Sequence, residues 1–394
     1  MLTVWLGFFI AMIALLVISQ KNLGIAMFVG ALILGVFSIP EHLAMTIWLA
    51  AANPSTILLA IVVGLIPIIG GTLKATGQMD NLVSNMRIGK KAFLMISPAL
   101  VGLLPMPGGA LLSAPLIEKG AEDVPGVRKA GLNVWFRHIL YLIYPLSPTL
   151  IISSEAAQLD VYQAIPYLAP ALLFSLILGY FFFLRDIPGK MDYKEEFSLK
   201  KLLPPLIVLV IAPTLDISIK TFFAPTVEEI ATIIAVSASL LIAVAIGRIG
   251  LRNLGDVAWK ARPWNFALMI VGIMVFLNVF QNSGILQLIG NVYITREILL
   301  AIGFLLGFGT GRIITPAGII FPIFITKFGN ISLPNFAIMY FSIFLGYVLT
   351  PVHPCVSLSV ESFKVEIKDY FKAVLQPASI ALIISLSLLY AVNL

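Results

Sequence analysis

The sequence predicts an all-α polytopic membrane protein with two inverted-topology repeats. Each repeat has five transmembrane helices, one of them broken, and a re-entrant helical hairpin. The chain of 394 residues is 60% hydrophobic and only 11% charged, which is more apolar than a soluble core requires. Apolar segments of about 20 residues, long enough to cross a bilayer, recur along its whole length. Such spans must be helical because lipid offers no hydrogen bonds to an open backbone.

The hydropathy pattern places the same series of elements in each half of the chain. In the first half the predicted spans are 2–19, 23–39, 54–75, a doubled segment 91–118, a broken span 130–158, and 162–184. In the second half they are 203–220, 226–247, 264–283, a doubled segment 296–327, a broken span 334–362, and 368–393. The short amphipathic segments 41–51 and 251–264 are expected to lie along the membrane interface. The predicted domains are an N-terminal repeat (1–185), a cytoplasmic linker (186–201) and a C-terminal inverted repeat (202–394).

Collinear matches between the halves predict an internal duplication. Proline and glycine recur in membrane helices, which explains single coincidences but not an ordered set. At an offset of 206 positions, Pro145, Pro148, Ser153 and Glu155 fall on Pro351, Pro354, Ser359 and Glu361. At nearly the same offset, Pro107, Gly109 and Gly77 fall on Pro316, Gly318 and Gly284.

The basic residues predict how the chain is oriented. If each doubled segment enters and leaves the membrane on one side, the two halves face opposite ways. With the N-terminus outside, only Lys220, Arg296 and Lys327 fall on the outer side, and the other loop lysines and arginines fall inside. This distribution satisfies the positive-inside rule. We therefore predict a multi-pass protein of the cell membrane with both termini extracytoplasmic.

The paired prolines predict discontinuous helices near the middle of the membrane. A broken helix leaves backbone groups without partners, and a bound ion or substrate can supply them. Hydroxyl and carbonyl oxygens there suit Na⁺, and no other metal or cofactor is predicted. The alternative is a structural kink whose hydroxyls bond back to the helix. The candidate binding residues are Pro145, Ser147, Pro148, Thr149 and Ser153 at the first break, and Thr350, His353, Pro354 and Ser357 at the second.

The doubled segments contain glycine and proline where a helix must turn. An ordinary packing contact between helices is the alternative interpretation. The candidate binding residues at the first hairpin tip are Pro107, Gly108 and Gly109, and those at the second are Gly309, Thr310, Arg312, Thr315 and Pro316.

Charged residues within the spans have two interpretations each. Arg312 lies far from any loop, so it either binds a substrate anion or forms an internal salt bridge. Arg137 and His138 are expected to reach the interface rather than to line a cavity. Glu155 and Glu361 are proton carriers or solvated helix ends, and the sequence does not decide between these roles.

The run "GGTLKATGQMDNL…PALVGLLPMPGGALLSAPLI" resembles the prokaryotic integral membrane family named domain of unknown function 401. More remotely, the chain is similar to the ion transporter superfamily of gluconate, citrate and dicarboxylate permeases. The resemblance implies inverted repeats, a homodimer, elevator motion, and organic anions driven by Na⁺ or H⁺. The Ser-Asn-Thr signature of the dicarboxylate carriers is replaced by Pro107-Gly108-Gly109 and Thr315-Pro316-Ala317. The resemblance therefore extends to the positions of the tips and not to their chemistry.

Together, these features predict a secondary active transporter, a Na⁺- or H⁺-coupled carrier of a small organic anion such as a carboxylate. A cation/proton antiporter on the same scaffold is the alternative, and a channel or another non-transport membrane protein is a third. No enzymatic activity is predicted, because Ser113 lacks a base partner in the sequence. The predicted partners are a small anionic molecule and the lipid bilayer, without nucleic acid.

Overall fold

The computed structural model describes residues 1–103, 109–191, 193 and 196–393. These residues form twenty α-helices, with a 3₁₀ turn at Ile139–Leu142 and a π-helical turn at Tyr180–Leu184. The predicted tip residues Pro107 and Gly108 lie outside the described residues.

The helices have the following bounds. In the first half they are α1 (Leu2–Ile18), α2 (Leu23–Ser38), α3 (Leu43–Ala51), α4 (Pro54–Ala75), α5 (Gln78–Ser84), α6 (Lys90–Gly102), α7 (Gly109–Gly120), α8 (Gly126–His138), α9 (Pro148–Ala156) and α10 (Val161–Gly179). In the second half they are α11 (Leu199–Phe223), α12 (Glu229–Gly247), α13 (Leu251–Ala261), α14 (Pro263–Asn282), α15 (Ile285–Gly290), α16 (Arg296–Thr310), α17 (Ile314–Phe328), α18 (Leu333–Leu349), α19 (Pro354–Ser362) and α20 (Ile367–Val392).

Every predicted span coincides with a helix or with a pair of helices. Among the described residues, six helices are long and apolar enough to cross a membrane: α4, α10 with its π-helical end, α11, α12, α14 and α20. The pair α18–α19, bent by 41°, adds a seventh crossing if it counts as one span. The other predicted crossings correspond to α1 and α2, which have 17 and 16 residues, and to α8–α9, which is interrupted over residues 139–147. The prediction of a polytopic, all-helical membrane protein is confirmed.

Helix contacts divide the described chain into two bundles. In the first bundle, α14 packs on α2, α3 and α4, while α12 packs on α4 and α11, with α1, α5 and α13 at its margins. In the second bundle, α18 packs on α10, α16 and α20, while α8 packs on α6, α7, α19 and α20, and α17 packs on α9 and α16. The main direct contact between the bundles is α14 with α17, and the short α15 touches both bundles.

The half-helices α9 and α19 begin and end alike. Each has a proline as its first residue, where the missing N–H costs no hydrogen bond. The preceding residues, Ser147 and His353, have φ/ψ of −68°/122° and −70°/122°. Both helices then lead into a residue with positive φ, which is 56° at Gln158 and 53° at Lys364. The prolines are therefore starts of helices after an extended residue, and not kinks within a continuous helix.

Two glycines let a hairpin arm approach the neighbouring helix closely. A Cβ atom on Gly102 of α6 would overlap the carbonyl oxygen of Arg137 on α8. A Cβ atom on Gly307 of α16 would similarly overlap the carbonyl oxygen of Ile343 on α18. Because the obstacle is backbone in both cases, neither contact accommodates a larger residue. These contacts fix each hairpin against the helix that leads to the break.

Candidate functional site

One cavity of about 460 Å³ lies where both helix breaks meet the tip of the second hairpin. The first bundle forms one wall of the cavity. This wall consists of Gln20 between α1 and α2, Leu23 at the start of α2, and Phe266 and Met269 of α14. The cavity therefore lies between the two bundles. The second bundle supplies Ser147, Pro148 and Thr149 from the first break, Thr310, Gly311 and Arg312 from the second hairpin, and His353, Pro354 and Cys355 from the second break.

The first break presents paired hydroxyl groups to the cavity. The oxygens Ser147 Oγ and Thr149 Oγ1 lie 2.7 Å apart, within hydrogen-bond distance. The hydroxyl of Tyr340 lies 3.3 Å from Thr149 Oγ1 and donates to the carbonyl oxygen of Tyr141 at 2.9 Å. This network holds Thr149 against α18, which belongs to the other half of the chain.

The tip of the second hairpin is the turn Gly311–Ile313. Gly311 has a φ of 61°, a left-handed conformation that glycine adopts readily. Thr310 Oγ1 accepts a hydrogen bond from the backbone N–H of Arg312 at 3.3 Å. The guanidinium Nη2 of Arg312 donates to the carbonyl oxygen of Ser19 at 2.6 Å, which ties the tip to the first bundle.

Arg137 is a second buried arginine at this cavity. Its residue exposure is 2%, and Nη1 lies 3.5 Å from Ser113 Oγ. Within the described part of the chain its Nε has no hydrogen-bond partner, and a Cβ atom on Gly109 would overlap Nη2. The expectation that Arg137 and His138 reach the interface is wrong, since His138 is fully buried as well. Helices packed around the end of α8 keep both side chains from the lipid surface.

The cavity carries positive charge. Among its lining residues in the described chain, Arg137 and Arg312 are the arginines, and there is no aspartate or glutamate. Neither arginine forms an ion pair within the described residues. A guanidinium in a low-dielectric site is costly without a counter-charge, and it pairs well with a carboxylate. An anion in this cavity would therefore stabilise both side chains.

Two histidines and the cysteine meet beside Arg137. One possible ligand atom each from His138, His353 and Cys355 lies within 4.8 Å of the others. The ring of His353 stacks on Tyr347 at a centroid distance of 4.1 Å, and His138 Nδ1 lies 2.7 Å from the carbonyl oxygen of Val134. Nitrogen and sulfur are ligands for soft metal ions. The guanidinium of Arg137 lies beside this group, however, so its charge opposes a cation there.

The predicted site residues fall into three groups. The first group lines the central cavity and consists of Ser147, Pro148, Thr149, Thr310, Arg312, His353 and Pro354. Five others are buried nearby: Gly109, Ser153, Thr315, Pro316 and Thr350. The hydroxyl oxygens of Ser153 and Thr315 have no hydrogen-bond partner among the described residues. Gly309 and Ser357 are not among the lining residues, and Pro145 lines a separate cavity beside Glu155.

The sequence-based prediction missed several lining residues. Arg137, Tyr141, Tyr144 and Tyr347 all face the cavity, as does Cys355 directly after Pro354. The charge of Arg137 inside a predicted span was the available signal. The tyrosines gave no signal, because aromatic residues are common throughout the apolar segments.

The helices and their hydropathy define a polytopic membrane protein with a cavity between its two bundles that is lined by two arginines. The chain belongs to the family described as "Protein of unknown function (DUF401)", which matches residues 1–392. Among curated proteins, no match to the chain was found.

Proposed function

We propose that the protein is a secondary active transporter that carries a small organic anion, of the carboxylate class, by an elevator-type mechanism. The observation that carries this proposal is the pair Arg137 and Arg312 at one cavity whose described lining contains no carboxylate. The volume of about 460 Å³ suits a small molecule. The protein would move this anion rather than transform it.

Inverted repeats are supported by the pairing of helices. The contact of α2 in the first half with α14 in the second is matched by the contact of α12 in the second half with α4 in the first. In the same way, the contact of α7 with α19 corresponds to the contact of α17 with α9. The contact of α10 with α18 corresponds to the contact of α20 with α8. The paired half-helix ends at Gln158 and Lys364 and the close contacts of Gly102 and Gly307 follow the same correspondence. We propose the repeats as 1–185 and 202–394, with the linker on the cytoplasmic side.

Elevator motion is supported by the division into two bundles. Both breaks and both hairpins belong to the second bundle, while the first bundle supplies only one wall of the cavity. The second bundle would move as a unit with the anion and carry it past this wall. The exposed apolar side chains on α1 and α11, such as Phe9, Ile13 and Ile207, are available for lipid or for a homodimer contact.

Na⁺ or H⁺ is the proposed coupling ion. The unpartnered buried hydroxyls of Ser153, Ser154 and Thr315 lie on α9 and α17, which pack against each other. Hydroxyl oxygens of this kind are suitable ligands for a hard cation.

The decisive experiment is uptake of a carboxylate panel into proteoliposomes under an imposed Na⁺ or pH gradient. Gradient-dependent, saturable uptake of at least one anion is expected, and the variants Arg137→Gln and Arg312→Gln should reduce it strongly. Absence of gradient-dependent flux across the panel would contradict the proposal.

A cation/proton antiporter is the second candidate. A separate cavity of about 100 Å³ is lined by Glu155, Asp160, Asp216, Glu228 and Glu229, together with Lys220. Carboxylates at a small cavity are suitable for proton and cation exchange. In proteoliposomes with a pH-sensitive dye, antiport would give a pH change on adding Na⁺ without any organic anion, and Glu155→Gln would reduce it. Carboxylate uptake that is unchanged in Glu155→Gln favours the first proposal.

A further inference from the structure

A second and larger cavity opens at the margin of the first bundle. It has a volume of about 800 Å³ and lies between the last turns of α4, the end of α12 and one face of α13. Gly71 of α4 allows α13 to pack closely, since a Cβ atom there would approach Val257 Cγ1 to 2.8 Å. The cavity shares no lining residue with the central cavity.

Three cations face this cavity and one acid accompanies them. Lys74, Arg248 and Lys260 line it together with Asp256. No ion pair involves any of these four side chains within the described residues. The cavity therefore has an excess of positive charge that the described protein does not neutralise.

Arg248 occupies an unusual backbone position. It ends α12 with a φ of 49°, in the left-handed region where glycine is the usual residue. A long cationic side chain at this position lines the cavity at some cost in backbone energy.

The surrounding surface places the cavity at the level of the lipid headgroups. Helix α13 is amphipathic, and its residues Leu251 and Trp259 are 87% and 73% exposed. The rings of Trp259 and Trp264 lie 5.0 Å apart. Tryptophan is enriched where hydrocarbon meets headgroups, and an amphipathic helix of this kind lies in that plane.

The cationic lining is specific to this end of the bundle. The cavity beside α3, the short helix at the corresponding place in the first half, is lined by Asn53, Ser55, Gln158 and Gln281, together with Glu155. No lysine or arginine is among its described lining residues. A short helix at this place in the fold therefore does not by itself produce a basic cavity.

We propose that the cavity formed by α4, α12 and α13 binds the headgroup of an anionic membrane phospholipid with a glycerol headgroup. Lys74, Arg248 and Lys260 would contact the phosphate, as basic pockets between membrane helices do for anionic lipids. Asn253 and Asp256 line the same cavity. The Asp256 carboxylate would accept hydrogen bonds from the headgroup hydroxyls, and the Asn253 amide would accept or donate them. This proposal is independent of what the central cavity carries.

The test compares the thermal unfolding of the full chain in neutral detergent after adding phosphatidylglycerol, phosphatidylcholine or inorganic phosphate. Phosphatidylglycerol should raise the melting temperature of the wild type clearly more than the other two additives. The effect should vanish in Lys74→Gln/Arg248→Gln/Lys260→Gln. It should persist in the matched control Lys21→Gln/Lys119→Gln/Arg252→Gln, which removes three exposed cations outside the cavity.

A charge-retaining variant keeps the test decisive if the neutral triple variant does not fold. Lys74→Arg/Arg248→Lys/Lys260→Arg should bind phosphatidylglycerol in native mass spectrometry, and the single variant Arg248→Gln should bind less. Equal stabilisation by inorganic phosphate and phosphatidylglycerol would overturn the lipid assignment. Equal stabilisation of the wild type and the neutral triple variant by phosphatidylglycerol would overturn the site.

Discussion

Arg312 Nη2 donates a 2.6 Å hydrogen bond to the carbonyl oxygen of Ser19, which joins the tip of the second hairpin to the end of α1. The two residues belong to different bundles, and Arg312 also lines the central cavity. A carboxylate in the cavity would compete with the Ser19 carbonyl for the same guanidinium. Anion binding would then weaken this hydrogen bond between the two bundles.

We first predict that Arg312→Gln reduces anion uptake strongly. Losing a charge-assisted hydrogen bond costs about 1.5–3 kcal/mol, which corresponds to a weakening of apparent affinity by roughly tenfold to a hundredfold. The KM for uptake in proteoliposomes measures this effect. The matched control is Lys327→Gln, because Lys327 also donates to backbone carbonyls, at Gly290 and Val292, but does not line the central cavity. Equal KM values in both variants would contradict the proposed role of Arg312.

A second prediction concerns Arg137, whose charge is buried without an ion pair in the described residues. Arg137→Gln should fold with a melting temperature equal to or above that of the wild type, because removing an unpaired buried charge removes a desolvation cost. A bound carboxylate stabilises the folded state by mass action. The transported anion should therefore raise the melting temperature of the wild type but not of Arg137→Gln. If Arg137→Gln instead melts at a lower temperature than the wild type, and the anion still raises that temperature, Arg137 stabilises the fold and does not bind the anion.

Glycine packing yields a third prediction. Gly102→Ala and Gly307→Ala should each destabilise the protein by about 1–3 kcal/mol, because the new methyl group meets a backbone carbonyl that must move. Thermal unfolding in detergent measures the loss. Gly309→Ala is the control, since a Cβ atom on Gly309 meets nothing within 4 Å. A Gly309 variant as unstable as the other two would mean that general helix packing, and not the two carbonyl contacts, limits stability.

The fourth prediction concerns a buried carboxylate outside the central cavity. Asp216 is 2% exposed, accepts hydrogen bonds from Tyr162 at 2.6 Å and Thr232 at 2.9 Å, and lies 3.4 Å from Lys220 Nζ. Asp216→Asn should destabilise the protein by about 1–3 kcal/mol, because Lys220 loses its nearest counter-charge. Adding Lys220→Gln should recover part of the loss, as a thermal double-mutant cycle would measure. Asp186→Asn, an exposed ion-pair partner, should change little.

The prolines allowed the half-helices to be located from the sequence. A proline at the first position of α9 and of α19 fixes where each helix starts, so the breaks at Ser147 and His353 follow from local backbone chemistry. The second hairpin tip was placed less well. The hairpin turns at Gly311–Ile313, because Gly311 tolerates the positive φ that the turn requires. Thr315 and Pro316 instead lie in the first helical turn of α17, where a proline is tolerated.

The role of Arg137 could not be read from its neighbours in the chain. An arginine near the end of a span reaches lipid headgroups if the helix faces lipid, and lines a cavity if other helices surround it. Which applies depends on α6, α7, α19 and α20 packing around α8, and these helices lie at sequence distances that local patterns do not reveal. The tyrosines of the cavity were missed for the same reason.

The wall made by Gln20, Leu23, Phe266 and Met269 has a pharmacological consequence. If the second bundle moves, these four side chains face the anion on one side of the membrane only. A ligand with a carboxylate for the arginines and an apolar extension reaching Phe266 would contact both bundles together. If the protein is the proposed carrier, such a compound would arrest it in one orientation and would inhibit from one face of the membrane, whereas the anion would be accepted from both.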